Sequence, residues 1–396
     1  MKKLVIAAAF LGLSTQVAHA TKARLIALGQ DKDGSLFLDD NRNAFRNASF
    51  VSNYSNMAFF DYGATGNAIG LDTDTAQKAE GGVFVKHGAL TYGVYLGNEN
   101  DTGVLLKSLV ATTAGSMPQS DNVLELSVAG SAGINWGVTL GWAPTKDEQG
   151  AAEKENKSLY TRIGVNKNNW EAYANVSIQG ESDNKITSEK YDGGGAYDVG
   201  GSYQMGDMTA YARYKTVEWD QIASGVKTKG DYKEMKLGVG HDHEVSATSK
   251  IIYEVVYDSA EANLKYATNP TKGKYWQIPL IVGFESSANS WLTLRGSISQ
   301  SLIGNVDTKN IGSIANATNQ AVIAARFNAP AQNNYKGSLK NTTNVNAGAS
   351  LNFGNLTIDG LIGTGGTAGT ATTSTAEAGT LSLDRLMTRA AVTYKF

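Results

Sequence analysis

The chain has 396 residues, 44 glycines, 18 tyrosines, only 5 prolines and no cysteine, with a formal charge of −2. The lack of cysteine excludes disulfide frameworks and thiolate metal sites, and the slightly acidic balance is no footprint for nucleic acid. No stretch after the amino-terminal run approaches the roughly 18 apolar residues of a membrane helix, which excludes a helical inner-membrane protein.

Lys2 and Lys3 precede an apolar run from Leu4 to Leu13, and Ala18 and Ala20 flank a cleavage point. Residues 1–20 therefore read as a secretory signal peptide, the run being too short to span a bilayer. The mature chain is expected to start at Thr21; a residue other than Cys there gives no lipoprotein anchor. Residues 21–56 follow, including "ARLIALGQDKDGSLFLDDNRNAFRNAS". This stretch is too apolar for a free tail and is expected to pack, either as a plug in a lumen or on the periplasmic side.

From residue 57 the dominant signal is period two with one apolar face. "NVLELSV" sets Leu124, Leu126 and Val128 against Glu125 and Ser127; "INWGVTLGW" sets Ile134, Trp136, Val138, Leu140 and Trp142 against Asn135 and Thr139. Candidate strands cover 57–63, 81–87, 89–97, 122–131, 133–142, 157–166, 169–180, 193–204, 207–217, 232–241, 246–258, 273–285, 290–301, 343–353, 355–362 and 384–396. Seven tight turns join them in pairs: His87-Gly88, Ser131–Gly133, Lys167–Asn169, Met205–Asp207, Asp242–Glu244, Ser286–Asn289 and Phe353–Asn355. Between these hairpins lie longer polar connections: 64–80, 98–121, 143–157, 181–192, 218–231, 259–272, 302–342 and 363–383. Strict alternation of short and long connections is the layout of an antiparallel transmembrane β-barrel with short periplasmic turns and long extracellular loops. The count is about sixteen strands, with fourteen possible, over residues 57–396.

The chain ends on "RAAVTYKF", with Val392, Tyr394 and Phe396 on one side of the alternation. An open edge has no water to satisfy it inside a bilayer, so this strand is expected to close onto the first. The ending resembles the C-terminal signature of Gram-negative outer-membrane proteins of porin type. That resemblance implies recognition of Val392, Tyr394 and Phe396 by the outer-membrane assembly machinery. A second resemblance lies in "RLIALG…DD…FRNAS", which is similar to the N-terminal region of the long-chain fatty-acid transporter family. It implies a plug and a fourteen-stranded barrel, with Asn47-Ala48-Ser49 standing where that family has Asn-Pro-Ala.

Trp142, Trp170, Tyr203, Tyr214, Trp276, Trp291 and Tyr394 fall near expected strand ends, where amphipathic rings sit at headgroup level. Pro118, Pro144, Pro270 and Pro330 fall in loops, whereas Pro279 interrupts a strand and requires a bulge or strand end. The register turns Glu125, Arg162, Glu171, Arg213, Lys215, Glu234, Lys236, Glu254, Glu285, Arg295, Asp359, Arg385, Arg389 and Lys395 into the lumen. Sixteen strands enclose enough space for an aqueous channel. Either residues 21–56 or the loop 302–342, whose "SIANATNQAVIAARF" is helix-compatible, could narrow it.

Catalytic and metal motifs are weak. His87, His241 and His243 fall at expected periplasmic turns without a third ligand. "DKDG" at Asp31–Gly34 lacks the glycine position and terminal Glu of a calcium loop and reads as chance acidity. "GVGH" at Gly238–His241 lacks a third glycine. No cofactor, metal or enzymatic activity is expected. The leading expectation is a porin passing small hydrophilic solutes and ions. A transporter of hydrophobic ligands with an N-terminal plug, and a structural or adhesive barrel, are the alternatives. Expected partners are outer-membrane lipid, the assembly machinery and two further copies in a homotrimer.

Overall fold

The computed structural model describes residues 21–63, 78–98, 123–149, 152–185, 188–223, 225–265, 270–310, 334–339, 343–362 and 389–396. Its strands are β1 (Met57–Gly63), β2 (Lys78–His87), β3 (Leu90–Leu96), β4 (Leu124–Ser131), β5 (Asn135–Gln149), β6 (Ala152–Lys167), β7 (Trp170–Asn184), β8 (Glu189–Met205) and β9 (Met208–Ala223). They continue with β10 (Val226–Ser246), β11 (Ser249–Lys265), β12 (Thr271–Ser287), β13 (Leu292–Lys309), β14 (Asn334–Ser338), β15 (Asn344–Phe353), β16 (Leu356–Ile362) and β17 (Arg389–Lys395).

Apart from β14 and β15, each strand pairs antiparallel with its sequence neighbours, and β17 pairs with β1 from Met57 opposite Lys395 to Gly63 opposite Arg389. The sheet is a closed barrel with no free edge, as the terminal alternation requires. β14 and β15 share one stave. Both pair with β13 in one continuous register, Asn305 opposite Ser338 and Leu292 opposite Leu351. The seventeen segments thus make sixteen staves, not the fourteen implied by the fatty-acid-transporter resemblance.

The tight turns use backbones that suit them. Gly88 has φ 61° and Asn168 φ 50°, the left-handed region that Gly and Asn reach at least cost. Six of the seven expected turns lie where expected. The seventh does not: β10 runs unbroken through Asp242–Glu244 to Ser246, so that hairpin turns at 247–248 and His241 and His243 lie within a strand. Pro279 sits at a register shift, because Ile278 faces Ile303 while Pro279 faces Ser301. The extra residue is Leu302 on β13, and Leu302 and Ile303 both point outward.

The far end of the barrel departs from expectation more broadly. The stretches 143–157, 181–192, 218–231 and 259–272 are largely strand rather than loop, and Pro144 lies inside β5. Residues 302–309 and 334–338 are also strand; the helix-compatible segment, Pro118, Pro330 and loop 363–383 lie outside the described residues. The physical reason is an inversion of the pattern. Near the turns the outward face carries Val94, Leu126, Leu140, Ile163, Leu237 and Leu294. Past Trp142 and Trp276 it carries charges, as in the pairs Lys227–Asp220 (3.1 Å) and Lys272–Glu261 (2.6 Å). There the inward face turns apolar, with Val217, Trp219, Tyr232, Ala260, Ala262, Leu264 and Val306 forming a buried cluster. An extension built like a soluble protein replaces the expected loops.

Candidate functional site: a plug held in the barrel by charge

Residues 21–56 lie inside the turn-side half of the barrel. Their first element is a short helix, α1 (Lys22–Ala27), whose N-cap Thr21 accepts from the Arg24 amide. Gly29, at φ 75°, ends it, and the Gln30 amide returns to the Leu25 carbonyl at 2.8 Å. Two 3₁₀ turns follow, Asn41–Phe45 capped by Asp40 and Ala48–Val51 capped by Asn47. The helix rests on β13, β15, β16 and β17, while the second 3₁₀ turn rests on β3–β6 across the bore.

A segment this rich in charge is buried only if each charge finds a partner, since an unpaired buried ion costs several kcal/mol. Lys22 Nζ lies 2.6 Å from Glu80, and Arg42 lies 3.0 Å from the same carboxylate. Arg24 donates two hydrogen bonds to Glu285, at 2.8 and 3.1 Å, and a third to Asp40 at 2.9 Å. Asp31 takes Arg46 at 3.0 Å and Arg213 at 2.9 Å. Neutral groups complete the ring. Thr21 donates to Asp359 (3.1 Å), Gln30 to Glu254 (2.6 Å) and Asn47 to Glu171 (2.8 Å). Burial pushes the Asp40 carboxyl up to about 7, against the pull of Arg24.

Apolar contacts anchor the other flank. Phe45, Val51 and Tyr54 pack with Phe59, Phe84, Tyr95 and Ala129. Phe45 meets Tyr95 edge-on at 4.4 Å, and the Arg42 guanidinium lies 4.0 Å over the Phe45 ring. Small wall residues make room: an added β-carbon at Gly348 would lie 2.8 Å from the Ala27 β-carbon, and one at Gly164 2.6 Å from Asn47 Cγ.

The sequence-derived lumen residues are therefore inward, but most do not line open water. Glu125 is buried between Arg162 and Tyr160 and accepts from Asn98 at 2.8 Å. Arg295 bridges Glu285 and Asp359, the latter at 3.0 Å. Glu234 accepts from Tyr232 at 2.7 Å and faces Lys236 at 3.5 Å. Arg389 lies 3.6 Å from Asp61. Lys395 is exposed at the strand end, and Arg385 lies outside the described residues. Asp31 and Asp33 are not chance acidity: besides the Asp31 pairs, Asp33 lies 3.8 Å from Arg42. His241 and His243 stack on the outward face of β10, and no group of His, Asp or Glu among the described residues is arranged to hold a metal.

Sequence reasoning missed Glu80, placed in a loop, and the basic residues that answer it. The available signal was the plug itself, whose Lys22, Arg24, Arg42 and Arg46 require acidic partners if buried.

Between the plug and β6–β9 a cavity of about 80 Å³ remains. Its lining combines Asp33 and Arg46 on the plug and Arg162, Asn175, Asp198, Arg213 and Lys215 on the wall with apolar Phe45, Val176 and Ala196. Arg213 is held by Asp198 at 2.9 and 2.6 Å.

No family model matches the chain, and no curated protein is similar to it in sequence. Among solved structures it is similar to the outer-membrane expressed OmpT of Vibrio cholerae, with 13% identity over 66% of this chain and 89% of that one and a TM-score of 0.34. The anion-selective porin from Comamonas acidovorans gives 11% identity over 75% and 95%, with a TM-score of 0.35. The Pseudomonas putida toluene transporter TodX gives 10% over 87% and 92%, at 0.34. Identities this low speak at most of a shared fold, and scores below 0.5 leave each resemblance loose. In its own geometry the chain is a closed, antiparallel, sixteen-stranded barrel of the outer-membrane kind.

Proposed function

We propose that the protein is an outer-membrane channel for small hydrophilic solutes, in which residues 21–56 act as a resident constriction. The observation that carries this reading is the ring of buried ion pairs that seats the plug across the bore while a cavity with charged groups in its lining remains beside it. A wholly open diffusion pore does not agree with a seated plug. A conduit for hydrophobic ligands is disfavoured by the arginine, lysine and carboxylate groups that share the lining with Phe45, Tyr160, Val176 and Ala196. Export through a cleaved signal peptide ending at Ala20, assembly through the aromatic-terminated last strand and a homotrimeric state belong to the same proposal.

The test is permeation by the refolded full chain and by a form lacking residues 21–50. Liposomes carrying the full chain are expected to admit glycerol and exclude larger sugars, and the deletion is expected to raise single-channel conductance and admit those sugars. Equal permeation by both forms overturns the constriction. No permeation by either overturns the channel.

A further inference from the structure

We infer that the cavity beside the plug is a binding site for a small monocarboxylate, with Lys215 as its anion-holding group; this rests on the channel reading and names a solute class for it. Most cations around the cavity are already engaged. Arg162 is engaged by Glu125, Arg213 by Asp198 and Asp31, and Arg46 by Asp31. Lys215 differs. It is 5% exposed, turned inward between Arg213 and Val217 on β9, and makes no hydrogen bond or ion pair among the described residues. Its register partner, Asp198, gives both carboxylate oxygens to Arg213.

Lys215 lines the cavity with no direct ion pair and only a through-space attraction to Asp198, so its ammonium is open to a ligand's carboxylate there. The same cavity holds a second unanswered group, because Asn175 Oδ1 is buried with no hydrogen-bond donor. A carboxylate on Lys215 and a hydroxyl donating to Asn175 Oδ1 would satisfy both. The volume, equal to roughly three waters, suits a short hydroxy acid such as lactate. Asp33 and Asp198 also line the cavity and set a limit on charge. They disfavour a dianion, so succinate and inorganic phosphate are expected to bind less well than a monoanion. Lysine suits this role as a compact point charge on a flexible stem, free of the fixed fork that commits the neighbouring arginines.

Binding is read on the refolded full chain in detergent by saturation-transfer NMR with L-lactate, with glycerol and succinate as comparison probes. Lactate is expected to bind at millimolar concentration and to exceed both probes. Lys215→Gln is expected to weaken it roughly tenfold or more, the loss of a charge-assisted hydrogen bond. Lys215→Arg should keep most of the binding, and Asn175→Asp should abolish it by repulsion. Because Lys215 makes no direct ion pair that Lys215→Gln would break, the barrel should remain folded and heat-modifiable. Lactate binding unchanged in Lys215→Gln, or absent from the parent chain, overturns the site. Glycerol uptake into liposomes is scored separately and reads the channel alone, so loss of the site and loss of the channel are told apart.

Discussion

The two halves of the barrel wall are built on opposite rules. On the turn side the outward face is apolar and the inward face is charged; past the rings of Trp142 and Trp276 the outward face is charged and the inward face is apolar. A single strand shows both. β9 turns Arg213 and Lys215 inward beside the plug, then Val217 and Trp219 inward beyond it, while its outward residues change from Tyr214 to Glu218 and Asp220. The surroundings dictate each rule. Lipid outside demands apolar groups, and a charged plug inside demands partners. Where water replaces lipid, the strand can hide its apolar side chains only by turning them inward. The inversion marks the height at which the membrane ends.

The two halves should fail separately. Replacing Arg24 by Ala leaves Asp40 buried without its cation and strips Glu285 of one of its two arginines, a loss expected at about 3–5 kcal/mol for plug docking. Proteolysis should then cut within 21–56 while the barrel stays folded. Trp219→Ala should cost a similar or slightly smaller amount, about 3–5 kcal/mol, because the ring is 2% exposed. Its effect should be confined to the far strand ends, seen as faster amide exchange in β9 and β10 with the plug still protected. If either change loosens both halves together, the separation is wrong.

The outward face gives a smaller contrast. Arg at Leu140 should cost about 2–4 kcal/mol of folding free energy in vesicles, as a lipid-facing charge near the midplane. Arg at Glu218, outward on the extension, should stay within about 0.5 kcal/mol. Equal penalties at both positions would place the extension in lipid and abolish the boundary.

The contrast also has a pH dependence. Burial raises the Asp40 carboxyl from 3.8 to about 7, so the seated plug holds that proton more tightly than the released segment does. Docking is then most favourable below the ordinary value, weakens as pH rises from about 4 to 7, and is level above that. Protease cleavage within 21–56 should accelerate between pH 5 and 7 and level off by pH 8. Asp40→Asn should flatten that profile; an unchanged profile would remove Asp40 as its source.

Much of the wall was legible because period two and turn chemistry are local. The closing pair β1–β17 followed from the alternation of Val392 and Tyr394 and from the cost of an open edge. The extensions were not read as strand, although "AEANLK" alternates cleanly over Ala260–Lys265, because a membrane template expects apolar residues outward and these are charged. The hairpin at 247–248 was misplaced by polar "HDH", whose residues sit in a strand just inside the turn. The inward charges were identified by parity alone, but their partners were not. Pairing Glu285 with Arg24, or Glu80 with Lys22, joins residues far apart in the chain, and no local pattern encodes it.

The central claim, a plug seated within the bore, is tested most directly by a cross-link. The chain contains no cysteine, so any disulfide found is the one introduced. An added β-carbon at Gly164 would lie 2.6 Å from Asn47 Cγ, one bond from the Asn47 β-carbon, which is within disulfide reach. In cells making the Asn47→Cys, Gly164→Cys protein, mild oxidation should link plug to wall in the folded, membrane-inserted barrel. It should do so in most molecules, and each single-cysteine form should give no intramolecular link. Folded double-cysteine barrels in which both thiols stay free and reactive under the same oxidation would contradict the account.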